Sequence, residues 1–378
     1  MKKYSFLREY LKKSDTLLLT LCVLATLYGI VLIASATRVT ESSRYVVIQS
    51  LSLVIGIVLY FMLSLVDIET IADKWKLIFV FNVLFIASLF VFGEAGDTVN
   101  RAWLRFGGIG IQPAEVVKIT YTILLAKQIE HTKSRRGLNH PISVIQIVLH
   151  FGLMFALIIV ASSDLGSALV YCFIFALLLF LAGLKFYWFA AGIGIIAAAF
   201  PFVWTNLFTQ RHRNLILAPY DPTIDTSGLG ITWQVNQSKS ALASGGFGGS
   251  GLFKGVYTQT GAVPQQHTDF IFSAAGEELG FVGCALIFIL LVLIIARCFY
   301  VGIKSNHPLS MLVCCGMGGM LIFQMLENIG MCIGLTPVIG LTLPFFSYGG
   351  SSIITMFAAM GIVSGVRRRP KLSRFSIG

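Results

Sequence analysis

Residues 16–35 read Thr-Leu-Leu-Leu-Thr-Leu-Cys-Val-Leu-Ala-Thr-Leu-Tyr-Gly-Ile-Val-Leu-Ile-Ala-Ser, a run without a single charge. Wound as an α-helix, about twenty such residues rise about 30 Å, enough to cross the hydrocarbon core of a bilayer. Comparable runs recur near 46–66, 77–92, 114–130, 142–161, 165–183, 186–204, 271–296, 309–335 and 351–366. The run at 77–92 is short, and the run at 114–130 carries Glu115 and Lys118 inside its apolar frame. The expected fold class is therefore all-α: a polytopic membrane protein with about ten transmembrane helices and one long extracytoplasmic loop, at about 205–270. Met1 to Asp15 is basic and is followed by no small-residue cleavage site, so the first run reads as a retained helix rather than a signal peptide.

Composition points the same way. Of 378 residues, 56% are hydrophobic and 12% charged, whereas a soluble domain carries about a quarter charged residues. A water-soluble enzyme is excluded, and no soluble domain is expected at either end. The net charge of +11 would suggest nucleic acid in a soluble chain. Here the positions of the charges matter more, and nucleic acid is not an expected partner. Cys22, Cys172, Cys284, Cys298, Cys314, Cys315 and Cys332 fall in or beside apolar runs without a C-x-x-C pair, and read as small buried hydrophobes.

Ten spans place both termini on one side. Lys2, Lys3, Arg8, Lys12 and Lys13 precede the first run, Lys133, Arg135 and Arg136 follow the fourth, and Arg367, Arg368, Arg369, Lys371 and Arg374 follow the last. Basic loops stay in the cytoplasm, so segments 1–15 and 367–378 are expected there. The loop at 205–270 then faces outward. It is too long to be a simple connection, and its interleaved Trp233, Phe247, Phe253 and Tyr257 predict an ordered segment on the membrane surface. Its run Ser244-Gly-Gly-Phe-Gly-Gly-Ser-Gly251 could serve as linker.

Polar groups at membrane depth are costly and point to function. Arg101-Ala-Trp-Leu-Arg105 precedes Gln112-Pro-Ala-Glu115 and Lys118. Pro113 suits a first helical turn, which would set Glu115 and Lys118 one turn apart, either as a structural ion pair or as functional groups. Arg101, Arg105 and Trp103 also fit interfacial anchors. Asp164, between two apolar runs, fits a helix cap and also a negative partner for Lys118. Val263-Pro-Gln-Gln-His-Thr-Asp269 ends at the mouth of the eighth run. A helix continued from Asp269 would bring Glu277, not Glu278, round to its side. Asp269 beside His267 reads as a helix cap or as a general base. Thr336-Pro-Val338 and Pro344-Phe-Phe-Ser-Tyr-Gly-Gly-Ser351 break helix and suggest a re-entrant loop. Gln324, Glu327 and Asn328 share a helical face, most simply as an interhelical polar contact.

These stretches together resemble the shape, elongation, division and sporulation (SEDS) family, which includes RodA, FtsW and SpoVE. The resemblance spans 1–378 as a single transmembrane domain and rests on Gln112-Pro-Ala-Glu115, Asp164-Leu-Gly, Gln237-Ser-x-x-Ala-x-x-Ser-Gly-Gly246, Pro264-x-x-His-Thr-Asp-Phe-Ile-Phe272 with Glu278-Leu-Gly, and Pro344-Phe-x-Ser-Tyr-Gly-Gly-Ser-Ser352. Thr336-Pro-Val-x-Gly340 leans toward RodA-type members and Gly340-Leu-Thr-Leu-Pro344 toward FtsW-type ones, with RodA favoured. Val99-Asn100 and Ser162-Ser163 depart from the family pattern, while Arg101, Trp103 and Asp164 keep to it. No family role attaches to Glu327.

The resemblance implies a peptidoglycan glycosyltransferase of the bacterial cytoplasmic membrane that polymerises lipid II, an undecaprenyl-pyrophosphate disaccharide-pentapeptide, at the outer face. It implies Asp269 as the catalytic base that activates an acceptor hydroxyl. Arg101, Trp103, Arg105, Lys118, His267, Glu277 and Ser347 are then expected to bind substrate, with Glu115 and Asp164 giving electrostatic support. Arg211 and Arg213 are further candidates for the pyrophosphate. A divalent ion such as Mg or Mn could assist the departing pyrophosphate, with no covalently bound cofactor expected. The implied partner is a class B penicillin-binding protein. A lipid II flippase would use the same cavity without a base, and a non-catalytic scaffold would need none of these groups.

Overall fold

The computed structural model describes residues 14–38, 43–94, 101–106 and 109–368. The basic positions within 1–13 and 369–378, and Val99-Asn100, lie outside the described residues. Among the described residues ten long helices are formed: α1 (Thr16–Ala36), α2 (Arg44–Leu65), α3 (Trp75–Phe92), α4 (Pro113–Arg135), α5 (Pro141–Ser162), α6 (Leu165–Ala182), α7 (Phe186–Phe202), α8 (Ile271–Lys304), α9 (Pro308–Ile333) and α10 (Gly350–Arg368). All but α4 are apolar and long enough to cross a membrane. The exception carries the ion pair anticipated in the fourth run. This is an all-α, multi-pass membrane protein.

Local chemistry sets the helix ends. Pro113, Pro141 and Pro308 occupy first turns, where a missing N–H costs nothing. Asp15 caps α1 through Leu18 N–H, and Asp164 caps α6 through Ser167 N–H. Besides an apolar interior, apolar side chains also cover the outside of the bundle. Helix α7 buries none of its side chains, and α2 turns Leu51, Val54 and Val58 outward, each more than half exposed. Such apolar faces suit lipid. Helices α9 and α10 form the buried centre.

One end of the bundle is knotted at Asp15. Its carboxylate accepts from Arg297 of α8 at 2.9 Å and from Arg367 of α10 at 2.7 Å. Tyr60 of α2 donates to its carbonyl at 2.7 Å, so four helices meet on one acidic residue.

The opposite end carries the segment 205–270, which is ordered, with helices at Gln210–Leu217, Trp233–Gly245 and Val256–Thr260. Its glycine run is not a linker. Helix α8 breaks at Gly280, where φ is +65°, a conformation open chiefly to glycine. The backbone groups freed there pair with the run: Ser250 N–H and Gly251 N–H donate to the Glu277 and Glu278 carbonyls at 3.0 and 2.9 Å, and Phe281 N–H donates to the Gly246 carbonyl at 2.9 Å. A side chain at Gly249 would strike the Glu278 carbonyl. The glycines let two backbones touch.

The expected helix continuing from Asp269 does not form. Thr268, Asp269 and Phe270 N–H all point to the Gln265 carbonyl, Phe270 is non-helical, and α8 starts at Ile271 with no side-chain cap. The turn displaces the helical register on which the placement of Glu277 depended.

Candidate active site

Asp269 sits half-buried on this turn, held through its backbone by two other segments. Asn328 of α9 donates to the Asp269 carbonyl at 2.7 Å and to the Leu341 carbonyl at 2.7 Å. Ser347 donates to the Thr268 carbonyl at 2.6 Å while accepting from Leu343 N–H, and Tyr348 N–H donates to the His267 carbonyl at 2.8 Å. The His267 ring packs in a triangle with Tyr45 and Tyr348, with centroids at 4.8 and 5.8 Å from its own and 4.9 Å between the tyrosines. The side chain of Asp269 is thus free to act while its main chain is fixed.

Burial lifts the Asp269 carboxyl from its ordinary 3.8 to about 6, with the charge of Asp164 adding to the rise and the Thr268 hydroxyl opposing it. A carboxylate of this pKa is a better proton acceptor than a solvated one, yet is ionised at neutral pH. Gly340 has φ +71°, and a methyl placed there would meet only Asp269 Oδ2, at 3.6 Å. The absent side chain keeps open space beside the carboxylate.

The second group hangs on α4 and α6. Gln112 donates from Nε2 to Asp164 Oδ2 at 2.9 Å, and Ser167 binds the same carboxylate through its N–H and hydroxyl. Burial raises the Asp164 carboxyl against these bonds. Lys118 and Glu115, both buried, pair at 2.5 Å. Asp164 is therefore the α6 cap and the partner of Gln112. The direct ion pair of Lys118 is with Glu115, one turn away, rather than with Asp164, which acts on Lys118 only through space.

The two groups are joined by the helix-free stretch 335–349, the anticipated break. A methyl at Gly166, next to the α6 cap, would lie 2.8 Å from the Ile339 carbonyl. Leu343, Phe345 and Phe346 are buried. Gln49 grips the far end, donating to the Ser347 carbonyl at 3.0 Å and accepting from Gly349 N–H at 3.1 Å. The sequence marks no role for Gln49, shows Gly340 only as a motif position, and suggests for Asn328 an interhelical polar contact, where it in fact binds the Asp269 and Leu341 carbonyls. Their task is to hold backbone or leave space, which leaves no chemical signature in the chain.

Other expected residues lie apart. Arg105, on the hairpin of β1 (Leu104–Phe106) and β2 (Ile109–Ile111), and Arg101, just before it, are exposed, and neither forms an ion pair among the described residues. Half-buried Trp103 lies over Gly110, with its carbonyl taken by Glu94 N–H. The hairpin leads straight to Gln112. Glu277 instead accepts from Tyr257 N–H at 2.7 Å and from Thr258 through its N–H and hydroxyl. It holds the start of the helix Val256–Thr260. Glu278 binds Ser35 at 2.7 Å and Gln259 at 3.0 Å. Arg213 donates to the Thr205 carbonyl.

Among the described residues, no three His, Cys, Asp or Glu side chains converge as metal ligands would. The cysteines of the described chain are free thiols, with Cys172 and Cys284 only partly buried.

This architecture has counterparts. Residues 15–372 match the family model described as a cell cycle protein of the FtsW, RodA and SpoVE type. The peptidoglycan glycosyltransferase MrdB of Escherichia coli (strain K12) is 31% identical over 300 residues, covering 79% of each chain. The probable peptidoglycan glycosyltransferase FtsW of Bacillus subtilis (strain 168) is 30% identical over 384 residues, covering 97% of this chain and 94% of its own. A chain from a peptidoglycan synthase complex that coordinates polymerization and crosslinking superposes with a TM-score of 0.80 at 29% identity, over 94% of this chain and 98% of that one. The rod shape determining protein RodA of Thermus thermophilus superposes with a TM-score of 0.69 at 27% identity, over 94% and 97%. With nearly its whole length matched in sequence and in helical architecture, the chain belongs to the FtsW, RodA and SpoVE family.

Proposed function

We propose that this protein is a peptidoglycan glycosyltransferase that polymerises lipid II at the outer face of the bacterial cytoplasmic membrane, in a RodA-type role, with Asp269 as general base. The observation that carries this reading is a half-buried carboxylate, fixed by its backbone and flanked by the bare Gly340, whose proton affinity burial raises. Curated relatives named as peptidoglycan glycosyltransferases support it. Asp269 takes the proton of an acceptor sugar hydroxyl as that oxygen bonds to the anomeric carbon of the donor. The bond from that carbon to the pyrophosphate oxygen breaks, and its electron pair leaves with the undecaprenyl pyrophosphate. Attack from the face opposite the leaving group inverts the centre.

The departing charge calls for cations. Arg101 and Arg105, exposed and without ion pairs among the described residues, suit that task. Lys118 is already neutralised by Glu115 and shapes the field around Asp164. A class B penicillin-binding protein is the proposed partner, supported by the likeness to a chain of a synthase complex. The test is polymerisation of lipid II by the purified full chain, with and without such a partner. Wild type should form glycan strands, which a flippase would not do. Asp269→Asn should insert and fold normally and make almost none, and a normal rate in that variant removes the assignment.

A further inference from the structure

Two side chains on α9 remain unexplained by the site as described. Glu327 is 6% exposed and Gln324 fully buried, and neither oxygen of Glu327 nor either polar atom of Gln324 has a hydrogen-bond partner among the described residues. Native chains rarely bury such groups unmatched, since each costs about 1–3 kcal/mol, and in a membrane helix they mark function. The next residue, Asn328, touches the Asp269 and Leu341 carbonyls, and the Thr336 hydroxyl donates to the Glu327 carbonyl at 3.1 Å. This face of α9 therefore borders the catalytic turn. Glu327 precedes the helix end at Ile333 by six residues, about 9 Å deeper along the axis. Asp269 lies within electrostatic reach of Glu327.

We propose that Gln324 and Glu327 form a polar subsite, on the membrane side of Asp269, that hydrogen-bonds the hydroxyl and acetamido groups of the bound sugar. A carboxamide and a carboxyl group together supply donors and acceptors, the complement of an N-acetylated, polyhydroxylated ring. The pyrophosphate is the wrong ligand here, because the charges of Asp164 and Asp269 repel it. It belongs toward Arg101 and Arg105. Glu327 is in this sense a positioning residue, and the subsite rests on the glycosyltransferase reading above.

The test compares wild type, Glu327→Leu, Glu327→Gln and Gln324→Leu in the full chain, measuring equilibrium binding of lipid II and of undecaprenyl pyrophosphate beside polymerisation. Glu327→Leu should weaken lipid II binding about tenfold, the loss of one well-placed hydrogen bond. It should raise KM more than it lowers kcat, and leave the affinity for undecaprenyl pyrophosphate unchanged. Its melting temperature should match or exceed wild type, since an unmatched polar group is replaced by an apolar one. Glu327→Gln, which keeps hydrogen-bonding atoms, should bind within about threefold of wild type. Unchanged lipid II binding in Glu327→Leu, or equal losses for both ligands, overturns the subsite. Should Glu327→Leu fail to accumulate, Gln324→Leu carries the same expectation and decides. Absence of polymerisation by wild type would remove the activity, while the binding comparison still judges the subsite.

Discussion

The Asn328 carboxamide donates to the main-chain carbonyl of Asp269 and, from the same nitrogen, to that of Leu341. One side chain of α9 thereby fixes the distance between the turn that bears the carboxylate and the helix-free stretch that faces it. Asn328→Leu keeps the branched shape but removes both hydrogen bonds, at a cost of about 2–4 kcal/mol. Polymerisation should fall at least tenfold, because a small misplacement of a base is expensive. Thermal unfolding and initial rates on the purified variant check both effects.

The pH profile follows from the raised carboxyl. A base must be ionised to accept a proton, so the rate should rise with pH through about 6 and level off above it, because the Asp269 carboxyl is lifted to that value. An unperturbed aspartate would put the limb near pH 4. The Asp164 charge contributes to the rise, so Asp164→Asn should shift the limb of the residual activity to lower pH. An unchanged limb in that variant would show that the two carboxylates do not interact.

Lys118 and Glu115 should behave as one unit. Breaking a buried pair strands a charge and costs about 3–5 kcal/mol, so Lys118→Ala and Glu115→Ala should each be severe and the double variant far milder than their sum. A coupling of more than about 1 kcal/mol in the double-mutant cycle is expected, with a smaller one between Lys118 and Asp164.

Sidedness is read by labelling. Arg211 lies in the long loop and Ser134 near the end of α4, both exposed. In a background freed of native cysteines, Arg211→Cys should react with an impermeant maleimide in intact cells and Ser134→Cys should not. The reverse pattern would put Asp269 on the wrong face for lipid II polymerisation.

The membrane class, the ten helices and the helix-free stretch before α10 are legible in the sequence alone, because hydrocarbon admits only long apolar helices and the exceptions stand out as charges, prolines and glycines. The Glu115–Lys118 pair and the Asp164 cap are legible for the same reason: both are local, reaching three residues along one helix. Contacts between distant segments are not written in any local pattern. Only the folded chain decides that Glu277 serves the helix Val256–Thr260 rather than Asp269, because a turn at Gln265 resets the register. Only packing brings Ser347 to Thr268 and the glycine run to the break at Gly280. The proton affinity of Asp269 likewise belongs to the tertiary structure, since burial and the field of Asp164, more than a hundred residues away, set it.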